Sequence, residues 1–473
     1  MKKIRELYKK IKKKIDYKDI VIFLIPFLMF GVYLVVLYPG ILSYDSYNQL
    51  TQIKEMTFNS SHPFFHTFIE MVLMKIVNTP AIIGLFQITF FSILWSRICK
   101  YNRSKHNKFC FNYQVLLTLL ICLNPLNKIM SVTLWKDVLY SYMILLFSFE
   151  MEKIIDNKFK VDLKNIIKLA LILIILPNLR HNGYLITLVM GAILFIIFFI
   201  KDKKNGKSKE NRNFNYLKLI GFMFIFFLCF RGLNKVYEVD KELSVTGIGS
   251  IVDFKVLAVT GEIGRYGKYT EKDKQDIEKY IDFDCMVENT KYNALDHMWI
   301  TCNGKEDIMK KDRINMYKKI FGMISRNVRV SLRYYLKEWG FIWRIVRYKD
   351  SWGNINFFGI NGGDWEISYT RPFEGTNMYN LVTRYLYFTR TNILFQTMFY
   401  SGSLCLYLSI AILICLKKKY KIGMLLVFLP TFINVLGIAL TASVNDVRYY
   451  YSNFLVLYLL GAILIKYWLK DEK

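Results

Sequence analysis

The chain has 473 residues, of which 53% are hydrophobic, and its formal net charge is +28. Such a charge is typical of nucleic-acid-binding proteins, but here the lysines form short runs at the ends of apolar segments, at 9–14, 100–108, 201–209 and 417–421. Apolar segments of bilayer length with basic flanks are typical of polytopic membrane proteins. We therefore expect membrane lipids as partners and no nucleic acid.

In chain order, the apolar segments predict an all-α membrane protein with about ten transmembrane helices. The predicted spans are 20–38, 80–98, 110–125, 138–153, 165–178, 183–200, 215–231, 392–416, 422–441 and 452–468. Their connections alternate between lysine-rich segments, predicted to be cytoplasmic, and segments with few basic residues, predicted to be external. This pattern predicts a multi-pass plasma-membrane protein with both termini in the cytoplasm.

Three regions follow from these spans. Residues 1–231 form an N-terminal transmembrane module with a first external loop at 39–79, and residues 392–473 form a C-terminal module. Residues 232–391 mix charges of both signs and are long enough for a folded external insert. Its only cysteines, Cys285 and Cys302, are compatible with a disulfide or with two free thiols.

A short apolar segment, Pro63–Val77, interrupts the first external loop. It contains Glu70 and Lys75, and counting it as a span would place the lysine run 100–108 outside the cell. We expect an interfacial or re-entrant helix rather than a transmembrane one.

The first candidate catalytic residue is Asp45, in the sequence "YPGILSYDSYNQL" after the first span. A carboxylate just outside the hydrocarbon can act as a base or a cation ligand. The alternative is a structural role as the N-cap of a helix that starts near Ser46.

The sequence "SSHPFFHTFIE" follows, with His62 and His66 four residues apart. This spacing predicts that both lie on one helix face. Zinc sites also use this spacing, but the glutamate of the HExxH motif is missing, so no metal site is predicted. Interfacial anchoring of a short helix is the alternative.

Charged residues also mark three later external positions. Lys136 and Asp137 enter the fourth span, where charge is costly and tends to indicate function, although an adjacent pair can simply neutralise itself. Arg180 and His181 form a short turn suited to an anionic phosphate, or merely a polar turn. Arg448 precedes the last span and can pair with a neighbouring aspartate or bind a lipid-linked phosphate.

The order "PGILSYDSYNQL…HPFFHTF…TLWKD…RHNG" resembles the GT-C superfamily of membrane glycosyltransferases, which includes protein O-mannosyltransferases and the aminoarabinose transferase of lipid A. It is most similar to an uncharacterised multi-pass family of Gram-positive bacteria. The resemblance covers about residues 20–200 well, the last two spans loosely and the insert hardly at all.

The resemblance implies an inverting glycosyltransferase of GT-C fold that takes a sugar from a polyprenyl phosphate. The acceptor would be an envelope glycan, lipid or protein on the outer face of the membrane. Asp45 would be the base, Asp137 would support the site, and Arg180 and Arg448 would stabilise the departing phosphate. No cofactor is implied, and a divalent metal stays open. The mannosyltransferases carry Asp-Glu where this chain has Asp45-Ser46, which puts the acceptor class in doubt.

Two other functions remain as alternatives. A transporter or flippase for a lipid-linked or anionic solute predicts charged residues at mid-membrane depth, where this chain offers mainly Gln87 and Asn434. A non-enzymatic scaffold that presents the insert gives Asp45, Lys136 and Arg180 no reason to be charged.

Overall fold

Helices form almost all the regular structure of this chain, as the sequence predicts. The computed structural model describes residues 16–60, 62–105, 110–205, 214–240, 248–290, 298–299, 301–346, 369–420, 423–441 and 446–468. Within these ranges no β-strand occurs, and the only bridges are isolated ones, between Ile41 and Thr133 and between Asn59 and Asp240.

The N-terminal module consists of ten helices within the described ranges. They are α1 (Tyr17–Val36), α2 (Tyr44–Glu55), α3 (Phe64–Ile76), α4 (Ala81–Lys105), α5 (Phe111–Leu123), α6 (Pro125–Val132), α7 (Lys136–Asp156), α8 (Leu163–Leu179), α9 (Gly183–Asn205) and α10 (Asn215–Val236).

The rest of the described chain is also helical. Its elements are α11 (Ile248–Tyr266), α12 (Glu271–Glu278), α13 (Phe283–Asn289), α14 (Glu306–Lys311), α15 (Arg313–Arg326), α16 (Val328–Glu338), α17 (Gly340–Trp343), α18 (Asn377–Thr391), α19 (Ile393–Tyr400), α20 (Gly402–Tyr420), α21 (Gly423–Thr441), a 3₁₀ helix (Val447–Tyr450) and α22 (Tyr451–Trp468).

Six of the described helices are long and apolar enough to cross a membrane: Tyr17–Val36, Ala81–Lys105, Gly183–Lys204, Asn215–Val236, Gly423–Thr441 and Val447–Trp468. Two bent pairs raise the number to as many as eight, namely α5 with α6, bent by 71°, and α19 with α20, bent by 50°. The structure thus agrees with a multi-pass membrane protein. The higher count of ten, which requires α7 and α8 to span as well, stays a prediction.

Helix α7 is the centre of the bundle. It packs against α8, α21 and α22, and most of its residues are buried. A helix buried on every side needs no charged face, and the charged residues of α7 lie near its two ends. Lys136 and Asp137 are its first two residues. Glu152 lies near its C-terminal end, and Lys466 Nζ is 2.7 Å from Glu152 Oε1.

The insert has a hydrophobic core of its own, which includes Leu257, Tyr280 and Met316. Cys285 and Cys302 are joined by a disulfide, which decides between the two states that the sequence left open. The insert also contacts the membrane module, since Lys255 Nζ donates a hydrogen bond to the carbonyl oxygen of Ala439 in α21 (3.0 Å).

Helix α3 has only 13 residues. At a rise of 1.5 Å per residue, its length is about 20 Å, which is less than the ~30 Å hydrocarbon core. A short interfacial or re-entrant helix therefore remains the interpretation of Pro63–Val77.

Candidate functional site

A backbone connection brings the loop after α1 to the start of α7. Ile41 N donates to the carbonyl oxygen of Val132 (2.9 Å), and Leu134 N donates to the carbonyl oxygen of Ile41 (3.1 Å). The approach requires glycine at position 40, which has a φ of 122° and where a Cβ atom would lie 2.9 Å from the Val132 oxygen. This contact fixes the position of α2 relative to Lys136.

Asp45 lies in the first turn of α2 and is not its N-cap. Ser43 is the N-cap, and it forms a reciprocal capping box with Ser46. Ser46 Oγ also donates to the carbonyl oxygen of Leu134 (2.8 Å). The residue after Asp45 is therefore a buried structural serine, and the carboxylate of Asp45 is free to contact other partners.

Two cations contact the carboxylate of Asp45. Lys136 Nζ donates to Asp45 Oδ2 at 3.2 Å, and Arg448 Nη1 donates to the same oxygen at 3.0 Å. The Asp45 side chain is 21% exposed. A small molecule can therefore contact the Asp45 carboxylate, which is bound on its protein side by Lys136 and Arg448.

His62 is the third neighbour of Asp45. Its Nδ1 accepts a hydrogen bond from Lys136 Nζ (2.8 Å), and its Nε2 lies 4.0 Å from Asp45 Oδ1. An Nδ1 that accepts leaves the proton of a neutral imidazole on Nε2. That N–H then points toward the carboxylate of Asp45.

Arg448 is held by several groups at once. Its Nε lies 3.3 Å from Asp446 Oδ2, and its Nη2 donates to the Tyr449 hydroxyl at 3.2 Å. Its guanidinium carbon lies 4.8 Å from the centre of the Trp135 ring, in a cation–π arrangement. A planar guanidinium held in this way is rigid, which suits the bidentate recognition of phosphate or carboxylate.

A second ion pair lies beside the first. Arg180 forms a salt bridge with Asp137, whose side chain is only 1% exposed. Arg180 also stacks over the ring of Tyr449, at 4.2 Å from its centre. Lys136 contacts Asp45, whereas Asp137 contacts Arg180, because successive helix residues point in different directions. The interpretation of Lys136 and Asp137 as a self-neutralising pair is therefore wrong.

The charges of the cluster cancel. Burial favours the neutral imidazole and lowers the pKa of His62 to about 3 and that of His181 to about 4, with Lys136 adding to both effects. Burial alone would raise the pKa of Asp45, but the cations Lys136 and Arg448 hold it well below its usual value. Three carboxylates thus face three cations, and the two histidines are neutral.

His66 lies apart from this cluster, and the prediction that it shares a helix face with His62 is wrong. Helix α3 begins at Phe64, so His62 precedes it. His66 Nδ1 lies 3.1 Å from Gln49 Nε2 and 3.5 Å from Glu70 Oε1, and all three side chains are buried. This deeper polar layer supports the fold beneath Asp45 rather than facing the same space.

A cavity of about 680 Å³ adjoins the cluster. Its lining includes His62 and His181 from the cluster, and Arg231, Asn234 and Lys235 from α10. Cavities of ~300–1,000 Å³ are typical of small-molecule sites.

The expected pairing of Arg448 with a neighbouring aspartate is confirmed, and the partner is Asp446. Sequence reasoning assigned no role to two other members of the cluster, Trp135 and Tyr449. Each is adjacent in the chain to a predicted cation, Lys136 or Arg448, and this proximity was the available signal. Within the described residues, no group of three or more histidine, cysteine, aspartate or glutamate side chains has an arrangement suited to a metal.

No protein-family model, curated protein or solved structure matches this chain.

Proposed function

We propose that the protein is a glycosyltransferase that transfers a sugar from a polyprenyl phosphate to a hydroxyl of a cell-envelope acceptor. The observation that carries the proposal is a partly exposed carboxylate, Asp45, which contacts Lys136 and Arg448 and lies next to His62, a residue that lines a cavity of about 680 Å³. Displacing a phosphate from an anomeric carbon requires a base for the incoming hydroxyl and cations for the departing phosphate.

The same contacts explain how Asp45 can become a stronger base when the donor binds. In the free protein, two cations lower its pKa, and a carboxylate of low pKa is a weak base. A donor phosphate competes with Asp45 for Arg448 and Lys136. As these cations turn to the phosphate, the pKa of Asp45 rises back toward its usual value, and Asp45 becomes a stronger base.

In the proposed reaction, Asp45 accepts the proton of the acceptor hydroxyl. The oxygen of that hydroxyl forms the new bond to the anomeric carbon. The bond between that carbon and the phosphate oxygen breaks, and its electron pair leaves with the polyprenyl phosphate. Arg448 and Arg180, each backed by a carboxylate, are oriented to stabilise the additional charge.

The expected location of this chemistry is the outer face of the membrane. Lys100, in one of the lysine runs, pairs with Asp19 at the start of α1, whereas Asp45 follows the end of that helix. The positive-inside rule assigns the end of the bundle that carries Lys100 to the cytoplasm. The disulfide between Cys285 and Cys302 supports the same assignment for the insert, because disulfides persist in oxidising compartments.

The test is sugar transfer by the full chain in proteoliposomes. A panel of radiolabelled polyprenyl-phosphate hexoses is supplied together with a cell-envelope extract, and label in the extract is counted. We expect transfer by the wild type, and a loss of at least about 100-fold in Asp45→Asn. Asp284→Asn, an exposed aspartate of the insert, is the matched control; full activity in Asp45→Asn contradicts the proposal.

A transporter or flippase is the alternative function. It needs polar groups at mid-depth, and the two residues that the sequence offered differ in their contacts. Asn434 is satisfied, since it accepts from the Tyr140 hydroxyl (2.9 Å) and donates to the Tyr449 carbonyl oxygen (3.0 Å). Gln87 is buried, and its amide group has no hydrogen-bond partner within the described residues. Movement of the labelled lipid across the bilayer without transfer would favour this alternative.

A further inference from the structure

A second cavity, of about 490 Å³, lies at the opposite end of the bundle from Asp45. It lies between α4 and α7, with Lys168 of α8 in its lining. Helix α7 connects the two ends: Lys136 begins it at the candidate site, and Lys153 follows 17 residues later, about 25 Å away along the helix. The cavity is therefore at the end of the bundle where Lys100, Lys153 and Lys168 lie.

The lining has an apolar part and a charged part, in that order along both helices. On α4, Phe90 and Ile93 come before Arg97 and Lys100. On α7, Leu146 and Phe149 precede Glu150 and Lys153, and these four share one helix face. The apolar part is thus nearer the middle of the membrane, and the charged part is at headgroup depth.

Positive charge is in excess in the charged part. The buried carboxylate of Glu150 pairs with Lys153 (3.0 Å) and with Lys168, and Lys100 pairs with Asp19. Arg97 is exposed and has no hydrogen-bond or ion-pair partner within the described residues. Among the described residues, four cations therefore face two carboxylates, and the guanidinium of Arg97 has no ion-pair partner.

We infer that this cavity binds an anionic phospholipid of the leaflet at the lysine-rich end. Arg97 contacts the headgroup phosphate, with Lys153 and Lys168 beside it, and an acyl chain lies along Ile93 and Leu146. Basic pockets between transmembrane helices on the cytoplasmic side are suited to anionic lipid headgroups. A free phosphate would use the cations but not the apolar part. The inference is independent of the proposed glycosyltransferase activity.

The test is lipid binding by the full chain purified in a neutral detergent. Native mass spectrometry counts the bound lipids during titrations with phosphatidylglycerol and with phosphatidylcholine, and inorganic phosphate is added as a competitor. We expect phosphatidylglycerol to bind more tightly than phosphatidylcholine. Arg97→Gln should weaken the binding of phosphatidylglycerol about tenfold, the effect of losing one charge-assisted hydrogen bond.

Two further variants make the result decisive. Lys164→Gln removes an exposed cation near the start of α8, outside the cavity, and should leave binding unchanged. Leu146→Trp fills the apolar part and should abolish binding of the lipid while leaving Arg97 in place. Equal losses in Arg97→Gln and Lys164→Gln, binding unaffected by Arg97→Gln, or displacement of the lipid by inorganic phosphate would each overturn the inference.

Discussion

Arg448 Nη1 lies 3.0 Å from Asp45 Oδ2, although 403 residues separate the two in the chain. The contact joins α2 to the segment before the last helix. It also makes the most exposed carboxylate of the cluster dependent on a guanidinium that Asp446 and Tyr449 hold in place.

Replacing Arg448 by lysine tests whether the shape of the guanidinium matters beyond its charge. Three nitrogens of Arg448 face three different partners, and an ammonium group cannot reproduce this arrangement. We expect Arg448→Lys to raise the KM for the polyprenyl-phosphate donor about tenfold, with a smaller change in kcat. Arg326→Lys, in the insert, is the control and should behave as wild type. An unchanged donor KM in Arg448→Lys would show that only charge is needed there.

The ion pair of Asp137 with Arg180 should matter for stability as well as for activity. Asp137 is buried, and breaking a buried pair leaves an uncompensated charge, which costs about 3–5 kcal/mol. Asp137→Asn should lower the midpoint of thermal unfolding clearly. Asp284→Asn, which breaks an exposed pair, should change the free energy of unfolding by less than about 1 kcal/mol.

The double variant Asp137→Asn/Arg180→Gln separates this explanation from a simple loss of packing. Removing both charges should restore part of the stability lost in Asp137→Asn, because no unpaired buried cation remains. A double variant that is less stable than either single variant would argue against coupling between the two residues.

His62 should make the protein sensitive to acid. Its pKa is about 3 in the folded protein, against 6.5 for an unperturbed histidine. Between these two values the unfolded chain binds more protons at this position, so stability falls as the pH decreases from 6.5 toward 3. His62→Gln should show a shallower decrease in the unfolding midpoint over that range. Ser60→Ala, which lines the same cavity without a titrating group, should keep the wild-type slope; identical slopes in all three proteins would contradict the assignment.

Gly40 should be essential for the position of Asp45. Alanine at this position is strained at a φ of 122° and meets the Val132 oxygen, at a cost of about 1–3 kcal/mol. Gly40→Ala should therefore lower both the unfolding midpoint and the rate of sugar transfer. Gly31→Ala, in α1, has nothing within 4 Å of the added methyl group and should be neutral or stabilising. Equal behaviour of the two variants would mean that the backbone contact at Ile41 is not needed.

The sequence was sufficient to predict an all-α membrane protein and to single out polar residues such as Asp45, Lys136 and Arg448, which lie together. Apolar runs predict the long helices, since every predicted span overlaps a described helix or a bent pair, but they do not predict short polar helices such as α2 and α12. The sharp bend between α5 and α6 was predictable in place, because Pro125 follows Asn124 there and a proline restricts the residue before it. The number of spans depends on the depth of α7 and α8 in a bilayer, which apolarity alone does not determine.

The partners of the charged residues were not predictable. On sequence grounds Asp45 could cap a helix or act as a base or cation ligand, and aspartate is a preferred N-cap residue. The deciding residue is Ser43, two positions earlier, whose capping box with Ser46 occupies the N-terminus of α2. Likewise, the spacing of His62 and His66 suggested one helix face because the start of α3 at Phe64 was unknown. Contacts such as that of Asp45 with Arg448 depend on how helices distant in sequence pack together, and a local sequence pattern does not determine this packing.

The most direct test separates binding from chemistry in Asp45→Asn. The measurement is the affinity of the full chain for a polyprenyl phosphate, the reaction product, next to the rate of sugar transfer by the same preparation. Removing the carboxylate frees Arg448 and Lys136 for the phosphate, so we predict that Asp45→Asn binds polyprenyl phosphate at least as tightly as wild type while transfer is lost. Loss of binding together with transfer, or transfer at the wild-type rate, would contradict the role of Asp45 as the base of a phosphate-binding catalytic site.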